Sequence, residues 1–124
     1  MLIRYLLVAV GGGAGALTRY LAASAIMRRS GGKFPLGTLA INVTGSFLIG
    51  FLMTLLTVRF HFDPKWRLLL VVGFLGGYTT FSSFEWETYT ATREGGLLTG
   101  MLNIVSSVML GYIAVWLGSM LAMR

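Results

Sequence analysis

Four long apolar runs constrain this chain more than any other feature of its sequence. They are separated by short basic loops and cover residues 5–27, 36–58, 66–92 and 97–123. A helix needs about 20 mainly apolar residues to cross the hydrocarbon core of a bilayer. Charged residues make up 11% of the 124 residues, whereas a soluble domain carries about 25%. The sequence therefore predicts an all-α integral membrane protein with four transmembrane helices.

The four runs follow one another without an internal repeat, a linker or a low-complexity segment. We therefore expect a single four-span membrane domain over residues 1–124, placed as a multi-pass protein in the cell (inner or plasma) membrane. The first half of the run 5–27 has the apolar character of a signal peptide. That interpretation is disfavoured, because no soluble mature domain follows the run.

The composition excludes several kinds of functional site. The chain has no cysteine and a single histidine, His61, which rules out a disulfide framework, a thiolate metal site and a multi-histidine site within one chain. The net charge of +6 suits basic loop ends that meet anionic lipid headgroups. Because the basic residues are scattered, nucleic acid is not an expected partner. The chain also lacks a nucleophile–base constellation, so an enzyme is not expected.

The loop charges leave the orientation in the membrane open. With four spans, one side carries Arg4, Arg59, Lys65, Arg67 and Arg124, and the other carries Arg28, Arg29, Lys33 and Arg93. Five basic residues against four give almost no bias under the positive-inside rule. Either one or two of these charges set a single topology, or the chain inserts in both orientations.

A glycine-rich stretch in the first run permits two interpretations. Residues 11–16 match the pattern G-x-G-x-x-A of a dinucleotide-binding turn, which also requires an acidic residue about 20 positions later. The first acidic residue is Asp63, so this interpretation is disfavoured. The pairs Gly11/Gly15 and Gly12/Ala16 instead predict close helix packing of the small-xxx-small type.

Several polar side chains lie inside the apolar runs. Arg19 in the first run either attracts anions into a vestibule or anchors the helix, because intramembrane charges are costly and usually functional or snorkelling. Thr38 and Asn42 are four residues apart, as are Asn103 and Ser107, so each pair shares a helix face. Such pairs form interhelical hydrogen bonds or line a polar track for a small ion, and the spacing leaves both readings open.

The third run contains a segment that disfavours a helix. Residues 76–80 read Gly-Gly-Tyr-Thr-Thr, and two glycines followed by a tyrosine and two threonines have low helix propensity. Irregular backbone at membrane depth is tolerated only where it is buried in protein or lines a cavity, and broken spans often hold ions. We therefore predict a break at 76–80. Phe81 and Phe84 follow on one face, as core residues or as part of a site.

Three stretches in order make the sequence resemble the Fluc-type fluoride channels, or CrcB family, over nearly its whole length. They are GGGAGALTRY at 11–20, GTLAINVTGSF at 37–47 and GFLGGYTTFSSF at 73–84, followed by Glu87. The resemblance implies four spans with the third broken, assembled as an antiparallel, dual-topology homodimer. It further implies two fluoride pores along the dimer interface and one structural sodium ion, not transported, at its centre.

The resemblance also implies roles for individual residues. Asn42 matches the pore asparagine of the family, and Phe81 and Phe84 match the phenylalanines whose ring edges line the ion path. Gly76 and Thr79 match the positions whose backbone carbonyls bind the sodium ion.

Three polar residues complete the implied site. Arg19 matches the first-span arginine and is assigned to the vestibule, and Ser107 falls on the polar track of the fourth span. Thr38 shares a helix face with Asn42 and is assigned to the fluoride pore with it. Two positions depart from the family pattern, because Glu85 replaces a small polar residue and Gly111 stands where a hydroxyl continues the track.

The expected function is passive, fluoride-selective export from the cytoplasm, which relieves fluoride toxicity. The alternative is a proton-coupled transporter of the small multidrug resistance type, which also has four short spans. Such a transporter needs a carboxylate within a span, and the candidates are Glu85 and Glu87, which follow the predicted break. A third possibility is a membrane assembly factor that transports nothing.

Overall fold

The computed structural model describes residues 1–32 and 34–124, and its regular structure is helical throughout. Lys33, which the sequence places among the basic loop residues, lies outside the described residues. The helices are α1 (Leu2–Ser30), α2 (Leu36–Met53), α3 (residues 64–78), α4 (Ser82–Gly95) and α5 (Leu97–Met123). The all-helical prediction is therefore confirmed.

Two stretches of these helices are wound more loosely than an α-helix. A π-helical segment, Thr54–Arg59, continues α2 toward its C-terminal end. Within α3, the π-helical segment Arg67–Leu75 lies between the α-helical pieces Pro64–Trp66 and Gly76–Tyr78. π-Helical turns are rare and are often found at functional sites, and the longer one here leads directly into the segment that was predicted to break.

Four helical segments have the length and apolarity needed to cross a bilayer within the described part of the chain. They are Leu2–Ser30, Leu36–Arg59, Pro64–Gly95 and Leu97–Met123. Each begins and ends within three residues of an apolar run, because polar residues at the run ends extend the helix. Many large apolar side chains remain exposed on their outer faces, as expected of a surface that meets lipid or a partner rather than water.

Glycines bring the backbones of α1 and α3 into direct contact. Gly11 and Gly15 are buried, and a Cβ atom on Gly15 would collide with the carbonyl oxygen of Phe74. Gly77 lies in the same way against the carbonyl of Gly12. The predicted small-xxx-small packing of the first span is thus confirmed, and α3 is held close to α1 along its last turns.

The chain leaves the helical path between α3 and α4. Helix α3 ends at Tyr78, Thr79 is extended with φ −81° and ψ 157°, and α4 begins at Ser82. The Thr79 amide still donates to the Leu75 carbonyl at 2.9 Å. Residues 76–78 are helical, so the non-helical turn occupies residues 79–81, at the C-terminal edge of the predicted interval.

Candidate functional site

Asn42 of α2 holds the non-helical turn by two hydrogen bonds to one residue. Its Nδ2 donates to the Thr80 carbonyl at 2.9 Å, and its Oδ1 accepts from the Thr80 amide at 2.9 Å. Only one orientation of the amide satisfies both partners, which settles the assignment of its O and N atoms. Because a carboxamide nitrogen carries two hydrogens, one N–H donor of Asn42 is left over from this clamp.

Thr80 also organises the start of α4 with its side chain. Its hydroxyl oxygen accepts from the Ser83 amide at 3.3 Å and lies 3.1 Å from the Ser83 hydroxyl, to which it donates. A hydroxyl that accepts an amide of the first helical turn stabilises the start of that helix, as the side chain of an N-cap residue does. The backbone of Thr80 is thus fixed by α2, and its side chain is fixed by α4.

Arg19 of α1 reaches the end of α3. Its Nε donates to the Gly77 carbonyl at 3.1 Å, and carbonyls at a helix C-terminus carry partial negative charge. This contact gives Arg19 the anchoring role that the sequence allowed. The guanidinium has four further N–H donors, and Arg19 also lines a cavity, so its charge is available to an anion there as well.

Two cavities flank the turn and share Thr80. The larger cavity has a volume of about 520 Å³ and contains four of the predicted site residues. Its lining includes Asn42, Ser46, Gly76, Thr79, Thr80 and Phe81. The smaller, of about 200 Å³, contains two more predicted residues; its lining includes Arg19, Thr38, Thr80, Ser83 and Glu87. Six predicted residues from three segments of the chain therefore surround one turn of backbone.

The two phenylalanines occupy different environments, although they share a helix face in the sequence. Phe81 is 74% exposed and lines the larger cavity, whereas Phe84 is 7% exposed. Their ring centroids are 5.9 Å apart and the rings are tilted by 44°. Phe84 therefore packs in the core and supports Phe81, and within one chain Phe81 is the ring that is open to an ion or a partner.

The polar pair of α5 lies apart from the two cavities. Asn103 is 1% exposed, and its Nδ2 donates to the Thr88 hydroxyl of α4 at 2.7 Å. This is the interhelical hydrogen bond that the spacing of Asn103 and Ser107 left open. The Ser107 hydroxyl is buried, with no hydrogen-bond partner in the described part of the chain, and Ser107 does not line either cavity beside the turn.

Backbone oxygens are the ligands that this site offers to a cation. Among the described residues, no group of three or more His, Cys, Asp and Glu side chains could hold a metal ion. Gly76 and Thr79 line the larger cavity at the C-terminal end of α3, where helix carbonyls are partly negative. Carbonyl dipoles are the ligands of monovalent cations in membrane filters, so this donor set fits sodium rather than a transition metal.

Three residues of the site are absent from the sequence-based assignment. Thr80 and Ser83 link the turn to α4, and their three-residue spacing at the start of a helix is a capping signal. Glu87, one turn beyond Ser83, faces the smaller cavity, and its Oε2 atom is buried without a partner in the described residues. Periodicity gave no reason to place this residue in the same cavity lining as Arg19, because the two residues belong to different helices.

Comparison with known proteins gives a family for this arrangement. Residues 6–119 match the family model described as CrcB-like protein, Camphor Resistance (CrcB). A fluoride-specific ion channel FluC of Solibacter usitatus is 62% identical over 122 residues, which cover 98% of this chain and 100% of the relative. Proteins of the same name from Acidobacterium capsulatum and a Hydrogenobaculum species are 49% and 48% identical over 98% and 96% of this chain, and over 98% and 97% of their own lengths. The resemblance in the sequence is confirmed, and the chain is a multi-pass membrane protein that belongs to the CrcB-like family.

Proposed function

We propose that the chain is a passive, fluoride-selective channel of the cell membrane through which cytoplasmic fluoride leaves the cell. The observation that carries this proposal is the non-helical turn 79–81, which Asn42 holds between two polar cavities inside an apolar membrane segment. The names of the relatives, fluoride-specific ion channels, support the choice of ion. Hydrogen fluoride crosses lipid and ionises inside the cell, so a channel for the trapped anion would relieve its toxicity.

The chemistry of the turn suits a small, strongly hydrated anion. A pore must replace the ion's water with hydrogen-bond donors and still release the ion. The free N–H of Asn42 and nearby hydroxyl groups are neutral donors of this kind, and the edge of the Phe81 ring is weakly positive. Arg19 adds a full positive charge at the rim of the smaller cavity. Because the Nε of Arg19 is bound to the Gly77 carbonyl, the guanidinium attracts an anion but is not a bare charge in the ion path.

We further propose that two copies assemble in opposite orientations and that the pores run along their interface. Phe81 is 74% exposed at the turn, and the larger cavity opens beside it, so a second copy would cover this face. Opposite orientations place a two-fold axis in the membrane plane, which makes the interface self-complementary. The two sides carry nearly equal numbers of basic residues, five against four. Insertion in both orientations requires such a balance.

The orientation is testable because the chain has no native cysteine. We expect the variant Arg124→Cys, in intact cells, to react with a membrane-impermeant maleimide to about half of the level reached after permeabilisation, because half of the copies would expose this end outside. Labelling is measured on protein that is then purified and shown to conduct fluoride. All-or-none labelling of functional protein would contradict the antiparallel dimer.

A structural sodium ion at the centre of this dimer completes the proposal. The Gly76 and Thr79 carbonyls of two chains would supply four oxygens around one point on the axis. The nearby hydroxyl groups do not satisfy these carbonyls instead, because the Thr79 hydroxyl donates its proton to the Leu75 carbonyl at 2.8 Å and the Thr80 hydroxyl donates its proton to Ser83. Bare carbonyls inside a membrane cost several kcal/mol each, and a cation removes that cost.

A proton-coupled transporter remains the second candidate because of one observation, the buried Oε2 of Glu87, which has no hydrogen-bond partner among the described residues. Liposomes that contain only this protein distinguish the two functions. A channel passes fluoride current that follows the voltage at equal pH on both sides, whereas a proton-coupled transporter needs a proton gradient to drive fluoride movement. The absence of fluoride movement under both conditions would overturn the proposed function.

The same assay tests the two phenylalanines. We expect Phe81→Ile to lower fluoride flux by about tenfold through loss of the exposed ring edge, and Phe84→Ile to lower it by about the same factor through loss of the ring that supports Phe81; a tenfold change corresponds to about 1.4 kcal/mol. Their effects on stability should differ. Phe84→Ile changes a buried ring and should cost about 1–2 kcal/mol, whereas Phe81→Ile changes an exposed one. Full flux in both variants would end the role of these rings in the pore.

A further inference from the structure

Two adjoining cavities lie far from the turn, where α1 begins and α3 begins. The first, of about 450 Å³, has a basic rim; its lining includes Arg4, Asp63, Lys65 and Arg67. The second, of about 330 Å³, is mainly apolar; its lining includes Ile3, Leu7, Trp66 and Leu69. Asp63 and Lys65 line both cavities, so the two cavities share a wall; together they are called the groove, which has a charged part and an apolar part.

The charged part has an excess of positive charge. Asp63 pairs with Lys65, the ion pair found among the described residues, at 3.8 Å between Oδ2 and Nζ. This pairing leaves the guanidinium groups of Arg4 and Arg67 without a carboxylate partner in the described part of the chain. Arg59, also on this side of the membrane, instead donates to the Ala122 carbonyl at 2.9 Å. Arg4 and Arg67 are thus the two cations of this rim that remain open to an anionic ligand.

The apolar part carries side chains that are typical of the interface between lipid headgroups and chains. Trp66 is 51% exposed and Ile3 is 53% exposed, and tryptophan is enriched at the level of the headgroups. The sequence next to each is basic, with Arg4 after Ile3 and Arg67 after Trp66. An apolar groove that begins directly beside two arginines matches a ligand with an anionic head and a hydrocarbon tail.

We propose that this groove binds one anionic phospholipid, with its phosphate between Arg4 and Arg67 and the start of an acyl chain against Trp66 and Leu69. Arginine binds phosphate by paired hydrogen bonds, and basic pockets between membrane helices bind anionic lipid heads. A zwitterionic lipid carries its own cation and gains less from this rim. The binding site does not include the turn 79–81, so the inference is independent of the ion that the protein conducts.

Native mass spectrometry of the detergent-purified protein, titrated with phosphatidylglycerol or phosphatidylcholine, tests the proposal. The double variant Arg4→Gln/Arg67→Gln should bind phosphatidylglycerol about 10- to 30-fold more weakly, since each basic residue near an anionic lipid surface contributes about fivefold. The charge-matched control Arg28→Gln/Arg29→Gln, at the other end of α1, should retain wild-type affinity. The variant Arg4→Lys/Arg67→Lys keeps the charge and should lose less than the glutamine variant.

Three results would overturn the proposal. Equal affinity of the wild-type protein for the two lipids would exclude recognition of an anionic head. Equal losses in the Arg4/Arg67 and Arg28/Arg29 variants would show an effect of net charge without a site. Competition by soluble glycerol phosphate at the same concentration as the lipid would show that the apolar part of the groove is not used. A helical circular dichroism spectrum and a size-exclusion elution volume equal to those of the wild type serve as the check that each variant is folded.

Discussion

Replacement of Asn42 by aspartate should lower fluoride flux by at least about 100-fold, which corresponds to about 2.7 kcal/mol. Asn42 both donates to and accepts from the backbone of Thr80, and an ionised aspartate only accepts. The Thr80 carbonyl would then face a carboxylate, and a buried polar group left without its partner costs about 1–3 kcal/mol. The new negative charge would also repel the permeating anion from the larger cavity.

Asn42→Leu separates these two causes, because it removes both hydrogen bonds without adding a charge. We expect Asn42→Leu to lose flux through the loosened turn, and Asn42→Asp to lose more through repulsion. Flux is measured as fluoride efflux from liposomes, with dimer content checked on the same samples. If Asn42→Asp conducts like the wild type, Asn42 has no place in the ion path.

Removal of sodium should weaken both the dimer and its fluoride flux. Exchange of sodium for a large organic cation such as N-methyl-D-glucamine would leave the Gly76 and Thr79 carbonyls of both chains without a ligand, at several kcal/mol for each group. The fraction of dimer is measured by size-exclusion chromatography, and the flux is measured in liposomes prepared without sodium. We expect both to recover when sodium is restored.

Thr79→Val provides the matched control for the sodium experiment. Valine keeps the backbone carbonyl and favours extended backbone, and it removes only the hydroxyl that donates to Leu75. The fluoride flux of Thr79→Val should therefore depend on sodium in the same way as the flux of the wild-type protein. If neither dimer nor flux changes in the wild-type protein after exhaustive removal of sodium, the ion is not structural and the assignment of Gly76 and Thr79 is wrong.

The membrane helices could be predicted because the apolar composition of a long run is enough to identify a membrane-spanning helix. A run of apolar residues long enough to span a bilayer has few other folds available, and the small-xxx-small pair Gly11/Gly15 marks where two helices meet. The low helix propensity of residues 76–80 predicts a break over that interval, whereas the non-helical backbone of the structure is confined to residues 79–81. Its position is shifted, because Gly76 and Gly77 stay helical against α1 and Thr79 is the first residue to be extended.

The finer geometry of the site depends on contacts between distant residues. The hydrogen-bond partner of Asn42 is the backbone of Thr80, 38 residues later. A contact to backbone groups cannot be recognised from the pattern of side chains in the sequence. The difference between Phe81 and Phe84 has the same origin, because a three-residue spacing places both on one face of a helix. The structure begins α4 only at Ser82, so Phe81 precedes the helix and points away from the core that buries Phe84.

The bond between Asn42 and Thr80 also has a consequence for how the protein is made. The ribosome delivers α2 before α3 and α4, so Asn42 reaches the membrane while its partner has not yet been synthesised. A carboxamide in hydrocarbon without a partner is unfavourable, and the incoming turn carries both groups that it lacks. Because these groups belong to the backbone, any residue at position 80 except proline could supply them. The earlier helix therefore acts as a template that selects where the later segment stops being a helix.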